Sequence, residues 1–548
     1  MSGSTTASVN SPSDAKGQRA GETLGKIQLR DHETNDIILV PEPSNDPNDP
    51  LNWSPTQKYY IFALTCAGVF FEHCVLVGPS VVLEQVTVEY FGSAPGSVVA
   101  NLSKTSYFQT APSLLIGLSN FIWVPLAIKF GRRPVYIASY LLLTATCIWC
   151  ALATSFESAL AGRILLGFAG GAAELVAPLI LTDLFFLHER GKCMVIYTCA
   201  LSAGVGGGVV FSGLIVKTYP WQVVYWLFTA CVGFVTFLVL FTFPETQYRR
   251  QLLIIDSGDS TTKLEDSKSS TGPYNPTQVE AVGSQNSLPP KRTFLQNMRV
   301  FSGVYTSETL PSMMFRPIMA IILPAVLWAS LVNSVTIGMI VVLSANFSTA
   351  FSTIYGFQPW QSGLTYISTI VGSLVAILCG GHFTDWVADK LTIRNGGLRT
   401  PEMRLPAIII SLITGPLACV LYGVGFGKEL HWMVAVIGIG LVNFTTVQSN
   451  NISLVYILDS YRPIAGEVVV TQSAFKALFG FLISFYVNDW IMQSGYITVF
   501  GILAGVSAAV FLSTAIFYYW GGQIRESSWK WGFAKRFLHW DVDREVGE

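Results

Sequence analysis

The chain has 548 residues, a formal net charge of −1, 51% hydrophobic residues and only 12% charged ones, where a soluble domain carries about 25% charge. Mean hydropathy is +0.48, and the apolar residues gather into runs of about 20, the length that crosses a bilayer. These values exclude a soluble multidomain chain, and a charge near zero gives no footprint for a nucleic-acid partner.

Residues 1–58 are polar, rich in Ser, Asp and Asn, and hold no apolar core of the kind a cleavable signal peptide needs. They read as a cytoplasmic tail, mostly disordered, so the first membrane helix acts as its own targeting signal. Six apolar runs follow at 59–83, 106–128, 134–154, 158–183, 193–216 and 221–243, predicting an N-terminal bundle over 59–243. Residues 244–317 form a polar linker. Its stretch "DSGDSTTKLEDSKSSTGPYNPTQ" has too few apolar residues to bury a core and is expected to be mostly disordered. Six further runs at 318–344, 362–385, 405–426, 431–457, 467–489 and 495–521 predict a C-terminal bundle over 318–522, followed by a cytoplasmic tail at 523–548. The expected fold is therefore an all-α membrane protein with twelve transmembrane helices in two six-helix bundles. The nine cysteines all fall inside apolar runs and read as buried free thiols.

Orientation follows from the basic residues. With the N-terminus in the cytoplasm, only Lys104, Lys217 and Lys428 of the 33 Lys and Arg fall in outer loops, and Arg163 and Lys476 fall within spans. Both termini and the linker are thus expected on the cytoplasmic side of, most simply, the plasma membrane. That topology turns the sequons at Asn101 and Asn346 outward as glycosylation candidates.

After the second span comes "KFGRRPVYI", a basic turn with Lys129, Gly131, Arg132 and Arg133. Such a turn caps a helix end and pairs with acids on a neighbour, which makes it a candidate conformational latch. Plain positive-inside topology would also put cations there. In the second half the corresponding loop reads "GGHFTDWVADK", with Gly381 and Asp385. These residues resemble the signature Gly-x-x-x-Asp-(Arg/Lys)-x-Gly-Arg-(Arg/Lys) of the major facilitator superfamily. Ile128 stands at its aspartate and Val124 at its leading glycine. Further stretches, "DPNDPLNW", "RNGGLRTPEMRLP" and "DSYRPIAGEVVVTQSAFKALFGFLISFYVNDWI", are similar to the fungal drug:proton antiporter branch, in the subgroup around the yeast histidinol and polyamine transporter. The fifth span carries the glycines of that branch's motif, with Gly204, Gly208 and Gly213 as helix-packing positions, and Val209 in place of its proline.

The resemblance implies two bundles rocking about a central cavity lined by spans 1, 4, 7 and 10, with spans 3, 6, 9 and 12 toward lipid. The residues agree with this on their own account. A charge inside a bilayer is costly and normally faces a bundle interior. Those found are Glu72 in span 1, with His73 beside it, Arg163 and Glu174 in span 4, and Lys476 in span 11. Arg163 and Glu174 are eleven residues apart, so they share a helix face about 16 Å apart and cannot pair with each other. Glu72 is the first candidate partner for Arg163. Snorkelling of Arg163, and structural hydrogen bonding of either acid, are the plainer alternatives; Lys476 either snorkels or meets an acid. Asn333, Gln448, Asn450 and Gln472 add amides that line a cavity or bond between helices.

Buried acids that open alternately to each side suit proton coupling. Substrate and proton coupling is therefore assigned to Glu72, Arg163, Glu174, Asn333, Gln448, Asn450, Gln472 and Lys476. The expected activity is proton-coupled export of small organic molecules, with uptake of cationic amines or polyamines as the alternative and a non-transporting nutrient receptor as a third reading. No nucleotide-binding, metalloprotease or nucleophile-elbow motif points to an enzyme. No metal or cofactor is expected, the proton gradient being the energy source. The expected partners are a small-molecule substrate and membrane lipid, with no nucleic acid, and the expected state is a monomer.

Overall fold

The computed structural model describes residues 44, 46–92, 104–248, 291, 293–301, 303–306, 308–395, 400–461 and 464–532. Among them eleven continuous helical stretches are long and apolar enough to cross a membrane. The last, Ala465–Trp529, is 65 residues long, about three bilayer cores at 1.5 Å per residue. It breaks at Gly495, whose φ of 72° and ψ of 163° are not helical. It therefore holds spans 11 (465–494) and 12 (496–529), and the described helices make twelve spans.

Spans 1 to 6 are Pro55–Phe91, Tyr107–Phe130, Arg132–Leu152, Phe156–Leu184, Leu187–Val216 and Gln222–Thr242. Spans 7 to 10 are Pro324–Tyr355, Pro359–Arg394, Pro401–Gly427 and Met433–Ser460. Helix starts follow ordinary capping chemistry. Ser54 accepts from the Gln57 amide ahead of Pro55, and Ser155 accepts from the Ser158 amide ahead of Phe156.

Several boundaries differ from the hydropathy reading, most clearly in spans 7 and 12. Span 7 starts at Pro324, because a turn at 321–323 separates it from an independent lead-in helix, Leu310–Ala320. It also runs on through "NFSTAFST" to Gly356, a left-handed C-cap with φ 66°. Polar residues end an apolar run without ending a helix. Span 12 likewise continues to Trp529, past the expected start of the tail. The expected disorder of the N-terminal tail and the middle of the linker lies outside the described residues.

The most buried spans are 1, 4, 7 and 10, at 78, 72, 72 and 67%. Spans 3, 6, 9 and 12 turn large apolar side chains outward, among them Leu152, Phe234, Ile413 and Leu512. The two halves meet mainly where span 2 packs on span 11 and span 5 on span 8. The side of the bundle that carries the start of span 1 and the end of span 12 is called the terminal side here, and the opposite one the distal side. Both sides of the inter-half seam are packed. On the terminal side Val124, Ile128, Leu175, Met313 and Val470 form one apolar cluster. On the distal side the Ser348 hydroxyl donates to the Val81 carbonyl, and the rings of Tyr107 and Phe485 lie 5.4 Å apart.

Candidate functional site

Glu72 packs against span 4 because that helix has no side chain at Gly170, one turn before Glu174. A Cβ there would lie 2.5 Å from Glu72 Oε1. Glu72 is fully buried, with His73 Nδ1 2.5 Å from its Oε2. The same nitrogen is 3.1 Å from the Val69 carbonyl, and no hydrogen bond reaches Glu72 Oε1 among the described residues. Glu174 takes a different partner. Lys476 Nζ donates to its Oε1 at 2.7 Å, so an acid of the N-terminal half and a base of the C-terminal half form a buried ion pair. Glu72 with His73 and Glu174 with Lys476 are thus two buried pairs set against the same stretch of span 4. The sequence reading named His73 only as a neighbour of Glu72.

The backbone at Glu174 is held as well. Pro178 lacks the amide that would take the Glu174 carbonyl in a regular helix. The Tyr197 hydroxyl of span 5 donates to that carbonyl instead. Tyr197 was missed in the sequence, although a proline four residues after an intramembrane acid is a signal for an orphan carbonyl needing an outside donor.

Arg163 is not part of this group, and its expected pairing with Glu72 is not what the structure contains. Its guanidinium is fully buried. Nε donates to the Phe108 carbonyl at 2.8 Å, Nη1 to Val75 at 2.8 Å and Nη2 to Leu76 at 2.6 Å. The reason lies in two other residues. Phe108 and Val75 each precede a proline by four, Pro112 and Pro79, so both carbonyls lack their helical donor. Span 1 turns into a 3-10 segment over Gly78–Val82 at the same point. Arg163 caps both breaks. This is neither snorkelling nor cavity lining.

The amides divide. Gln472 Nε2 reaches the Ala329 carbonyl at 3.3 Å and Ser453 Oγ at 3.4 Å, bridging spans 7 and 10 one turn below Lys476. Gln448 Nε2 reaches the Ala407 carbonyl at 3.3 Å, and its oxygen has no hydrogen-bond partner among the described residues. Gln448 also lines a small void of about 10 Å³ with Thr198, Gly380 and Asn451, room for a single water. Asn333 is buried, its oxygen without a hydrogen-bond partner among the described residues. Asn450 is half-buried. In span 5, Gly204 lets the Phe70 carbonyl and His73 of span 1 approach, Gly208 admits the Cys74 carbonyl, and Gly213 meets Gly363 of span 8.

The basic turn after span 2 is built differently from a latch between halves. Gly131, with φ 106°, leads into span 3, and a Cβ there would lie 2.2 Å from Glu245 Oε2. The Glu245 carboxylate accepts from the amides of Arg132 at 2.9 Å and Arg133 at 3.2 Å, capping span 3 from the end of span 6. Burial pushes the Glu245 carboxyl up, against the pull of these amides and that of Gln247. Arg132 Nε pairs with Asp183 at 3.1 Å, and Arg133 Nη2 donates to the Leu240 carbonyl at 3.0 Å. These three partners, Glu245, Asp183 and Leu240, belong to the N-terminal half. Two residues of the turn reach the linker: Lys129 donates to the Glu308 carbonyl at 2.8 Å, with Tyr305 returning a backbone bond to the Lys129 carbonyl at 2.9 Å, and Arg133 Nη1 donates to Met298 Sδ at 3.0 Å. Glu308 in turn binds Arg316 at 2.6 Å. In the second half Asp385 is exposed and has no ion pair among the described residues. A Cβ on Gly381 would meet nothing within 4 Å. The buried pair on that side is Arg525 with Glu402 at 2.8 Å.

Of the two sequons, Asn101 lies outside the described residues. Asn346 corrects the expectation. It is inside span 7 and nearly buried, its oxygen accepting from the Tyr496 hydroxyl at 2.6 Å and its nitrogen 3.5 Å from Asn488. The folded chain leaves no room for a glycan there.

The sequence profile of the Major Facilitator Superfamily matches residues 65–483. The chain belongs to the major facilitator superfamily. It is 24% identical over 517 residues to the uncharacterized MFS-type transporter C1271.10c of Schizosaccharomyces pombe, covering 88% of this chain and 86% of that one. It is 24% identical over 558 residues to Protein HOL1 of Saccharomyces cerevisiae, covering 90% and 91%. Among solved structures, the human organic anion transporter MFSD10 superposes with a TM-score of 0.58 at 15% identity, covering 84% of this chain and all of that one, a likeness of fold. This major facilitator chain is therefore a multi-pass membrane transporter, from a class that is not enzymatic, and both of these relatives are fungal.

Proposed function

We propose that this transporter is proton-coupled and exports small organic molecules such as drugs, toxins or secondary metabolites by alternating access. The observation that carries the reading is the Glu174–Lys476 pair, because it joins the two halves at a group that accepts a proton. Removing one partner of a buried ion pair costs about 3–5 kcal/mol, since the other charge is left unpaired. A proton placed on Glu174 has the same effect on the attraction to Lys476. It loosens the seam between spans 4 and 11 and lets the halves part on one side. Glu72, supported only by His73, is the second acid within reach of the same proton. Return of the proton to the opposite side lets Lys476 close on Glu174 again.

The test is flux into and out of proteoliposomes with and without an imposed pH gradient, against a panel of cationic drugs and polyamines. Movement that follows the gradient and collapses with a protonophore supports coupling. No movement in either direction removes the transport reading in favour of a receptor.

A second reading, proton-driven uptake of cationic amines, has its own support. The unpartnered buried side-chain atoms of Glu72, Asn120, Asn333 and Gln448 are acceptors, which a donor-rich cation would satisfy. The sign of the gradient that drives accumulation separates the two. In both readings the protein sits in the plasma membrane with its termini in the cytoplasm and works as a monomer, the placement supported by the basic residues on that side.

A further inference from the structure

Spans 8 and 10 touch tightly at one level and diverge toward the distal side. At the contact a Cβ on Gly372 would lie 2.2 Å from the Gly440 carbonyl, and Asn443 Nδ2 donates to the Thr369 carbonyl at 2.7 Å. Beyond it the helices leave a groove of about 730 Å³, open to the outside of the bundle. Val371 and Ile437 form its walls, about half exposed, and Trp360 and Trp432 stand at its distal mouth. That volume falls in the range of about 300–1,000 Å³ typical of sites for drug-sized ligands. The groove is separate from the Glu72–Lys476 group and does not depend on the reading of transport given above.

The walls are continuous with the lipid-facing surface of a membrane protein. Hydrocarbon chains of the bilayer are as apolar as these walls, so burial alone favours no particular occupant. Selectivity must come from packing and from a polar group at the mouth. That group is present. Lys217, at the end of span 5, is exposed and holds its ammonium 4.7 Å from the centre of the Trp360 ring. It is one of only three cations expected on this side. Two tryptophans and a lysine at the boundary, with an apolar slot beneath them, match a phospholipid: a phosphate at Lys217, the glycerol region by the indoles, one acyl chain in the slot.

We propose that the groove between spans 8 and 10 is a binding site for a phospholipid of the distal leaflet, anchored through its phosphate to Lys217. The site is tested with the full chain in nanodiscs. A bimane fluorophore is placed on Val371→Cys in the groove and, separately, on Leu417→Cys, a lipid-exposed position of span 9. Doxyl-labelled phosphatidylcholine is then titrated in as quencher, with the unsubstituted chain as labelling blank. The groove position should be half-quenched at a mole fraction at least fivefold below the span 9 position. Lys217→Glu, a surface change outside the packed core, should return the groove curve to the span 9 curve. Coincident curves in the parent chain would overturn the site. An unchanged curve in Lys217→Glu would overturn the phosphate contact. A steeper response to doxyl-cholestane than to the phospholipid would overturn the proposed occupant in favour of a sterol.

Discussion

Lys476 and Glu174 are 302 positions apart in the chain and 2.7 Å apart in space, the one on span 11 and the other on span 4. Among the described residues neither has another ion pair, so the pair holds only while the halves are together at this level. Glu174→Gln should keep the fold and slow gradient-driven flux by at least tenfold. Lys476→Met should do the same, and the double variant should be no worse than either single one, because each single change leaves one charge unpaired and the double leaves none. Initial rates in proteoliposomes at two imposed gradients provide the readout. Full activity of Glu174→Gln would exclude it from coupling.

Arg163 gives a prediction about stability rather than transport. Arg163→Met leaves the carbonyls of Phe108, Val75 and Leu76 without their donor, at about 1–3 kcal/mol for each buried orphan. Removing the prolines restores two of the missing amides. Pro79→Ala combined with Pro112→Ala should therefore recover a large part of the loss in melting temperature of detergent-purified Arg163→Met. A triple variant no more stable than Arg163→Met alone would reject this account.

The same logic applies on a smaller scale to Tyr197. Tyr197→Phe removes the donor to the Glu174 carbonyl and should cost about 1–3 kcal/mol. Pro178→Ala should suppress the defect, measured by thermal unfolding of the two single variants and the double.

Gly170 and Gly131 test close approach to a carboxylate. A methyl group at 170 collides with Glu72, and Gly170→Ala should reduce flux while leaving the protein expressed and folded, since the clash falls on one side chain. Gly131→Ala meets both a strained φ and the Glu245 carboxylate. It should lower the melting temperature more than Gly170→Ala does, and Glu245→Ala should relieve the steric part of that loss but not the backbone part.

Twelve spans and two halves were legible because a bilayer forces long apolar runs that no other solvent requires. The buried acids were legible for the related reason that a charge in such a run is expensive. Partners were not. Helical phase says which way Arg163 and Glu174 point along span 4, and nothing about which element comes to meet them. Glu72 was the natural guess for Arg163 by charge alone, but a guanidinium with five donors is better satisfied by several carbonyls than by one carboxylate. The prolines at 79, 112 and 178 were the readable clue, each marking a carbonyl four residues earlier that something else had to fill. Asn346 misled for the opposite reason: its sequon lies in a polar segment that remains helical and is covered by Tyr496 from span 12. The basic turn was legible as a motif, yet its partners Asp183 and Glu245 lie on other elements of the same half, and no local spacing reveals them.

A helix interrupted by proline is ordinarily a place to bend. Span 1 is interrupted at Pro79 and span 2 at Pro112, and both could serve as joints. The Arg163 guanidinium lies across them like a splint, tying spans 1, 2 and 4 into one stiff plate. On the alternating-access reading proposed above, bending at these two points is braced, and the movement falls to the seam this half shares with the other.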